Sequence, residues 1–333
     1  MRACIIGSGS FGTALSTVVS VHCEQVMLWG RDPALVAEIN EQHENPLYLP
    51  GIALPTRVRA SADLEEAVTG AELVISATPS QVTREVIGRA ARFLPRGVPL
   101  LTVSKGIEND TLLTMTEVLE DCLPEEYHPY LAVLSGPSFA KEIGQRMPTV
   151  VTVASGWDKV ALRCQRVLHT ESFRAYTSTD VVGVQLGGAL KNVIAIAAGI
   201  ADGLGFGHNA RAAIITRGLA EITRVAVRRG ANPLTLSGLA GVGDLVLTCT
   251  GELSRNRRVG IELGKGRPLS DVLGETKQVA EGVKTAISAR DLSQKLAVEL
   301  PICEQVYLIV HRGKNPKAAV VELMTRQPKS ELV

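Results

Sequence analysis

Several short stretches of the chain carry residue types at spacings that suit chemistry. Gly7-Ser8-Gly9-Ser10-Phe11-Gly12 is a G-x-G-x-x-G run that follows the apolar stretch Ala3–Ile6 and opens a helical pattern over 13–21. In that setting each glycine has its own task. Gly7 permits a tight turn, Gly9 lets backbone amides approach a pyrophosphate, and Gly12 lets the helix pack close to the strand, while the helix N-terminus stabilises the anion. Lys191 lies in Gly187-Gly188-Ala189-Leu190-Lys191-Asn192-Val193-Ile194, a helical stretch otherwise almost uniformly small or apolar. Its neighbours three and four positions away are Gly187, Gly188, Ile194 and Ala195, so no carboxylate shares its helical face. Such a lysine either snorkels to water or titrates below its ordinary value, as a general base must. Asp244, in Leu239-Ala240-Gly241-Val242-Gly243-Asp244-Leu245, is a carboxylate in an apolar segment where a buried charge needs a partner, and Lys191 is the candidate. Ser254-Arg255-Asn256-Arg257-Arg258 follows, with a hydroxyl, guanidinium groups and an amide together. That run suits either a phosphate clamp or a solvated basic face.

The elements that position these groups follow from pattern. Ala3–Ile6, Gln25–Trp29, Leu73–Ala77, Leu100–Val103, Leu131–Leu134 and Val150–Ala154 are short, continuous apolar runs, as strands of a parallel sheet covered on both faces should be. With helical segments between them they predict a doubly wound α/β domain over residues 1–178. Asp32-Pro33 reads as a helix cap, and Ser61 precedes a helix carrying Leu64 and Val68. Beyond that, long helical periods over 179–200, 209–228, 283–295, 301–310 and 316–325 predict an all-helical domain over 179–333. In an open parallel sheet ligands lie past the carboxyl ends of the strands. The loops there are Gly7–Gly12, Arg31, Thr78-Pro79-Ser80, Ser104-Lys105-Gly106 and Ser135-Gly136-Pro137-Ser138, and Lys105 is the only cation in the last three. At the end of the second strand, Arg31 can meet a ribose 2′-phosphate, which favours NADP, while the adjacent Asp32 leaves NAD open.

Composition bounds the reading. The chain has 333 residues, enough for about two domains, and a net charge of +1, which offers no global field to hold nucleic acid. Aromatics at 4% argue against a base-stacking surface. The six cysteines form no C-x-x-C pair and read as buried, reduced thiols, and no metal-ligand spacing occurs. The most apolar stretch, around 181–200, is interrupted by Gln185, Lys191 and Asn192, so no membrane span is expected. With no signal peptide at the start, the expectation is a soluble cytoplasmic protein.

Taken together the chain resembles the bacterial-type NAD(P)-dependent glycerol-3-phosphate dehydrogenases along essentially its whole length. The resemblance rests on the glycine run through Leu15, Ser104–Glu108, Ser135-Gly136-Pro137-Ser138-Phe139-Ala140, Gly188–Val193, Gly241–Leu245, Ser254-Arg255-Asn256 and Glu281-Gly282. Phe11 stands where that family often has Trp. The resemblance implies a Rossmann-type first domain, followed by a helical substrate domain. It implies interconversion of sn-glycerol 3-phosphate and dihydroxyacetone phosphate, supplying the backbone of glycerophospholipids, in a homodimer without a catalytic metal. Ser10, Phe11, Arg31, Lys105, Ala140, Arg255, Val279 and Glu281, with Tyr48, would contact the nicotinamide cofactor, NADP or NAD with NADPH favoured. Lys105, Gly136, Ser138, Lys191, Asp244, Ser254, Arg255 and Asn256 would line the small phosphorylated substrate, with Lys191 as proton acceptor and Asp244 beside it. Two rivals remain: a hydroxyacid or ketoacid reductase of the same two-domain plan, which has no need of the phosphate clamp, and a non-catalytic dinucleotide sensor.

Overall fold

On the first strand, β1 (Arg2–Ile6), Ala3 and Ile5 enter one apolar layer while Cys4 and Ile6 enter another. A strand with two buried faces has no polar side to show, which is why it reads as an unbroken apolar run. The computed structural model describes residues 1–275, 279–328 and 330–331. In chain order the strands are β1, β2 (Gln25–Trp29), a small hairpin of β3 (Glu44–Asn45) and β4 (Leu49–Ala53), β5 (Val58–Ser61), β6 (Leu73–Ser76), β7 (Leu100–Thr102), β8 (Leu131–Ser135), β9 (Thr149–Ala154) and β10 (Phe173–Ser178). Eight of them form one sheet in the order β10-β9-β8-β7-β6-β1-β2-β5, with helices on both faces. The order reverses at β1, between β2 and β6, which opens a crevice at the carboxyl ends of the strands.

The sheet departs from an all-parallel one at a single pair. β8 and β9 run antiparallel, with Val133 opposite Ala154 and Ser135 opposite Thr152. Their connection holds only the short helix Ala140–Gly144, packed against the glycine-loop helix Ser10–Val19, so the chain turns back instead of crossing the sheet face. Two edge strands escape the sequence pattern: β5 has only four residues with Arg59 exposed among them, and β10 is only half buried. In β10, Phe173 and Ala175 point inward while Arg174 and Tyr176 face solvent. The cap of the helix Leu64–Val68 is Asp63, not Ser61; its carboxylate accepts from the amides of Glu65 and Glu66. All six cysteines are free, and Cys122 is half-buried rather than buried.

After β10 the described chain is helical. The core helix, Val181–Gly203, is capped by Asp180 and enclosed by its neighbours. An 18-residue window of it reaches mean hydropathy 1.6, long and apolar enough by length and composition to cross a membrane in spite of Gln185, Lys191 and Asn192, but 83% of that window is buried within the protein, as in the core helix of a packed domain. A second span, 233–250, reaches hydropathy 1.2; it is made of two short helices joined through the π-helical segment Leu239–Gly243, and only 39% of it is buried. The clamp helix, Arg255–Gly264, meets the core helix backbone to backbone. A Cβ at Gly199 would lie 2.1 Å from the Arg257 carbonyl oxygen, and one at Gly260 would lie 2.1 Å from that of Ile196. Asp202 on the core helix pairs with Arg257 at 2.8 Å, locking the same contact, and with Arg211 of the helix His208–Arg228 at 2.5 Å. This helix pair sets the start of the clamp helix relative to Lys191.

Candidate active site

Asp244 begins the helix Asp244–Thr250, and its carboxylate is the hub of the crevice. Oδ1 lies 2.8 Å from Lys191 Nζ and Oδ2 lies 2.7 Å from Lys105 Nζ, so one carboxylate joins a lysine from the core helix to a lysine from the end of β7. Lys191 is 6% exposed and Asp244 1%. Burial thus decides against the snorkelling reading of Lys191. Lys191 also donates to Thr248 Oγ1 at 2.7 Å, and that hydroxyl donates to the Asp244 carbonyl at 2.6 Å. Lys105 donates to the Gly136 carbonyl at 2.9 Å and to Ser138 Oγ at 3.5 Å.

Glycines make this approach feasible. A Cβ at Gly187 would come within 2.4 Å of the Ala240 carbonyl oxygen, and one at Gly188 within 2.4 Å of Ser135 Oγ. The turn preceding Lys191 therefore lets both the Asp244 segment and the end of β8 close on the core helix. Gly136 itself has φ +137, a backbone conformation costly for any other residue.

Two cations sharing one anion give the cluster a net positive charge in a nearly dry site. Burial pulls Lys191 down from its ordinary value to about 8; Asp244 opposes that shift and the Lys105 charge adds to it. Burial alone would push the Asp244 carboxyl up, but Lys105 and Lys191 together hold it below the usual carboxylate range. The arrangement is a buried amine that can change protonation near neutral pH, beside a carboxylate that stays ionised.

The clamp residues differ from one another. Ser254 is buried and caps the clamp helix, accepting from the Arg257 amide at 3.2 Å. Arg255 is exposed. Asn256 is buried, its Nδ2 donating to Asn192 Oδ1 at 2.9 Å and its Oδ1 accepting from the Gly282 amide at 2.9 Å. Asn192 in turn donates to the Lys105 carbonyl at 3.3 Å. A helix N-terminus with a guanidinium beside it is a suitable receptor for a phosphate dianion.

On the sheet side, a Cβ at Gly7 would lie 2.6 Å from the Ala77 carbonyl oxygen and one at Gly12 2.0 Å from that of Gly7, whereas one at Gly9 would meet nothing within 4 Å. A tight turn at Gly7, an open side at Gly9 and close packing at Gly12 thus follow the order of the motif. Ser10 starts the helix, and Phe11 sits beneath Lys105, whose Nζ is 5.9 Å from the ring centre. Tyr48 and Ala140 pack with Phe11 at the border of the same apolar layer. Arg31 is exposed, and Asp32 serves as a helix cap, accepting from the Ala34 amide at 3.0 Å. Val279 is exposed at the rim. Glu281, at the start of the helix Glu281–Leu296, accepts from Ser80.

Thr248, Asn192, Asn45 and Ser80 were not selected from sequence. Asn45, fully buried, donates to the Ser8 carbonyl at 2.8 Å and to Thr13 Oγ1 at 2.9 Å, and so holds the glycine loop. Thr248 carried a spacing signal, four residues after Asp244 and hence on its helical face, while Ser80 and Asn192 lie within stretches the sequence did mark, the loop Thr78-Pro79-Ser80 and the segment around Lys191.

Two family profiles match the chain: the NAD-dependent glycerol-3-phosphate dehydrogenase N-terminus over residues 2–161 and the corresponding C-terminus over 180–321. The chain is 74% identical over 332 residues to the glycerol-3-phosphate dehydrogenase [NAD(P)+] of Myxococcus xanthus, covering 100% of this chain and 99% of that one. It is 55% identical to the protein of that name from Anaeromyxobacter dehalogenans, covering 100% of both. Its fold is similar to the crystal structure of glycerol-3-phosphate dehydrogenase from Coxiella burnetii, with TM-score 0.92, 38% identity and coverage of 98% and 99%.

Proposed function

The chain belongs to the NAD-dependent glycerol-3-phosphate dehydrogenase family, and on that footing we propose how its crevice carries out the reaction. It is an NAD(P)-dependent oxidoreductase that interconverts sn-glycerol 3-phosphate and dihydroxyacetone phosphate. One observation carries the assignment of roles: the Lys191 amine is buried in the crevice with its Nζ 2.8 Å from the Asp244 carboxylate, and that burial lowers it to about 8 against the opposing pull of Asp244.

The glycine loop fits a dinucleotide, because the helix N-terminus and the open side of Gly9 suit a pyrophosphate while Gly7 and Gly12 have no room for a side chain. When bound, the nicotinamide supplies hydride acceptance from C2 of the substrate, or hydride return. Lys191 takes the C2 hydroxyl proton during oxidation, and in reduction its ammonium polarises the carbonyl and returns the proton. Asp244 orients that ammonium and compensates its charge. Lys105, fixed by Gly136 and Ser138, keeps the cluster positive toward an anionic substrate. Ser254, Arg255 and Asn256 hold the phosphate, so binding energy remote from C2 orients the reacting carbon. Ser10, Phe11, Arg31, Tyr48, Ala140, Val279 and Glu281 contact the cofactor, with Arg31 favouring NADPH. Residues 1–178 hold the nucleotide, while 179–333 contribute the base and the phosphate clamp. The protein acts as a cytoplasmic homodimer supplying glycerol 3-phosphate for phospholipid synthesis.

The test is Lys191→Ala in both directions. Turnover falls by about 10²–10⁴, as for removal of an acid–base group, while NADPH affinity is kept. A loss under about tenfold removes Lys191 as the proton acceptor.

A further inference from the structure

Loops at the ends of two sheet strands are fastened to one end of a helix from the other half of the molecule. Ser80, fully buried just after β6, donates its hydroxyl to Glu281 Oε2 at 2.5 Å and its amide to Oε1 at 3.2 Å. Gln81 Nε2 donates to the same Ser80 hydroxyl at 3.3 Å, which directs the hydroxyl proton toward Glu281. Gly106, next to Lys105, leaves the room this requires, since a Cβ there would lie 2.3 Å from Ser80 Oγ. The residue after Glu281 continues the connection: the Gly282 amide donates to Asn256 Oδ1, Asn256 donates to Asn192, and Asn192 donates to the Lys105 carbonyl.

We propose that Ser80 is a positioning residue, holding the Glu281 carboxylate so that the start of this helix sets the cofactor contact and the phosphate clamp together. The proposal rests on the reading of Glu281 as a cofactor contact. Burial pushes the Glu281 carboxyl up, and the two Ser80 bonds with the Arg255 charge oppose it. Without the Ser80 hydroxyl the carboxylate retains one long amide bond and is free to turn or take a proton. Gly282 then loses its fixed alignment with Asn256. Ser288 fastens the same helix further along, donating to the Ile107 carbonyl at 3.1 Å and to Asn109 Oδ1 at 2.5 Å, but touches neither Glu281 nor the clamp.

The experiment measures NADPH Kd by calorimetry, with KM for dihydroxyacetone phosphate and kcat, in Ser80→Ala, Glu281→Gln, the double variant and Ser288→Ala. Losing a hydrogen bond to a charged group predicts that Ser80→Ala raises NADPH Kd about tenfold or more and raises substrate KM in parallel, with kcat at saturation changed by less than about threefold. Because Ser80 acts through Glu281, the double variant binds NADPH no worse than Glu281→Gln alone, and Ser288→Ala leaves Kd at the wild-type value. If Glu281→Gln weakens NADPH and Ser80→Ala does not, the proposal is overturned while the reading of Glu281 stands. If Glu281→Gln leaves NADPH Kd unchanged, that reading fails and the proposal with it. Additive effects in the double variant, or an equal shift from Ser288→Ala, mean general loosening of the two halves and also overturn it.

Discussion

The Lys191–Asp244 cluster and the exposed rim of the crevice are built on opposite terms. Lys191, Asp244, Thr248, Asn192 and Asn256 are buried and bonded to one another, so their geometry and protonation belong to the fold. Arg31, Arg255 and Val279 stand exposed, and Gly9 borders open space. Shifting an amine well below its ordinary value requires removing it from water, which folding itself must accomplish. The exposed groups need only stand in the right places, with buried residues such as Asn45 and Ser80 fixing the loops behind them. Substitutions on the buried side should therefore cost stability as well as function, and those on the open side should change ligand choice alone.

Asp244→Asn should show the largest effect. It leaves the buried Lys191 and the half-buried Lys105 without their shared counter-ion, and breaking a buried pair costs about 3–5 kcal/mol, read as a lower urea midpoint. Removing the carboxylate also removes the influence that raises Lys191, so Lys191 falls further. An unchanged midpoint would break the comparison. Asn256→Ala comes next: it orphans the Gly282 amide and Asn192, for about 1–3 kcal/mol, and raises substrate KM. A KM effect without any stability change would move Asn256 to the open side. Arg31→Ser, the smallest for the fold, should stay within about 0.5 kcal/mol of wild type while lowering the preference for NADPH over NADH about tenfold. A preference that does not move removes Arg31 from cofactor selection.

The same contrast explains what was legible in the sequence. The glycine loop could be read because its residues are contiguous and each has a local task. Asp244 and Lys191 could be paired because each was a charge in apolar surroundings in need of compensation. Thr248 was within reach of sequence reasoning, four residues from Asp244, whereas Asn45, Asn192 and Ser80 act through partners far along the chain. The antiparallel β8–β9 pair and the strand β10 were missed for related reasons. Direction is set by how a connecting segment packs, and a half-exposed edge strand alternates instead of running apolar throughout. The close contact of Gly199 with Gly260 likewise joins residues that sequence spacing cannot bring together.

The central claim is that Lys191 exchanges the proton, and the pH dependence of kcat/KM in the two directions tests it most directly. Oxidation of glycerol 3-phosphate needs the neutral amine, so its kcat/KM should rise with pH through about 8 and then level off. Reduction of dihydroxyacetone phosphate needs the ammonium, so its kcat/KM should hold at lower pH and fall through the same point. Profiles that bend in the same direction for both reactions, or an inflection near that pH that persists in Lys191→Ala, would contradict the account.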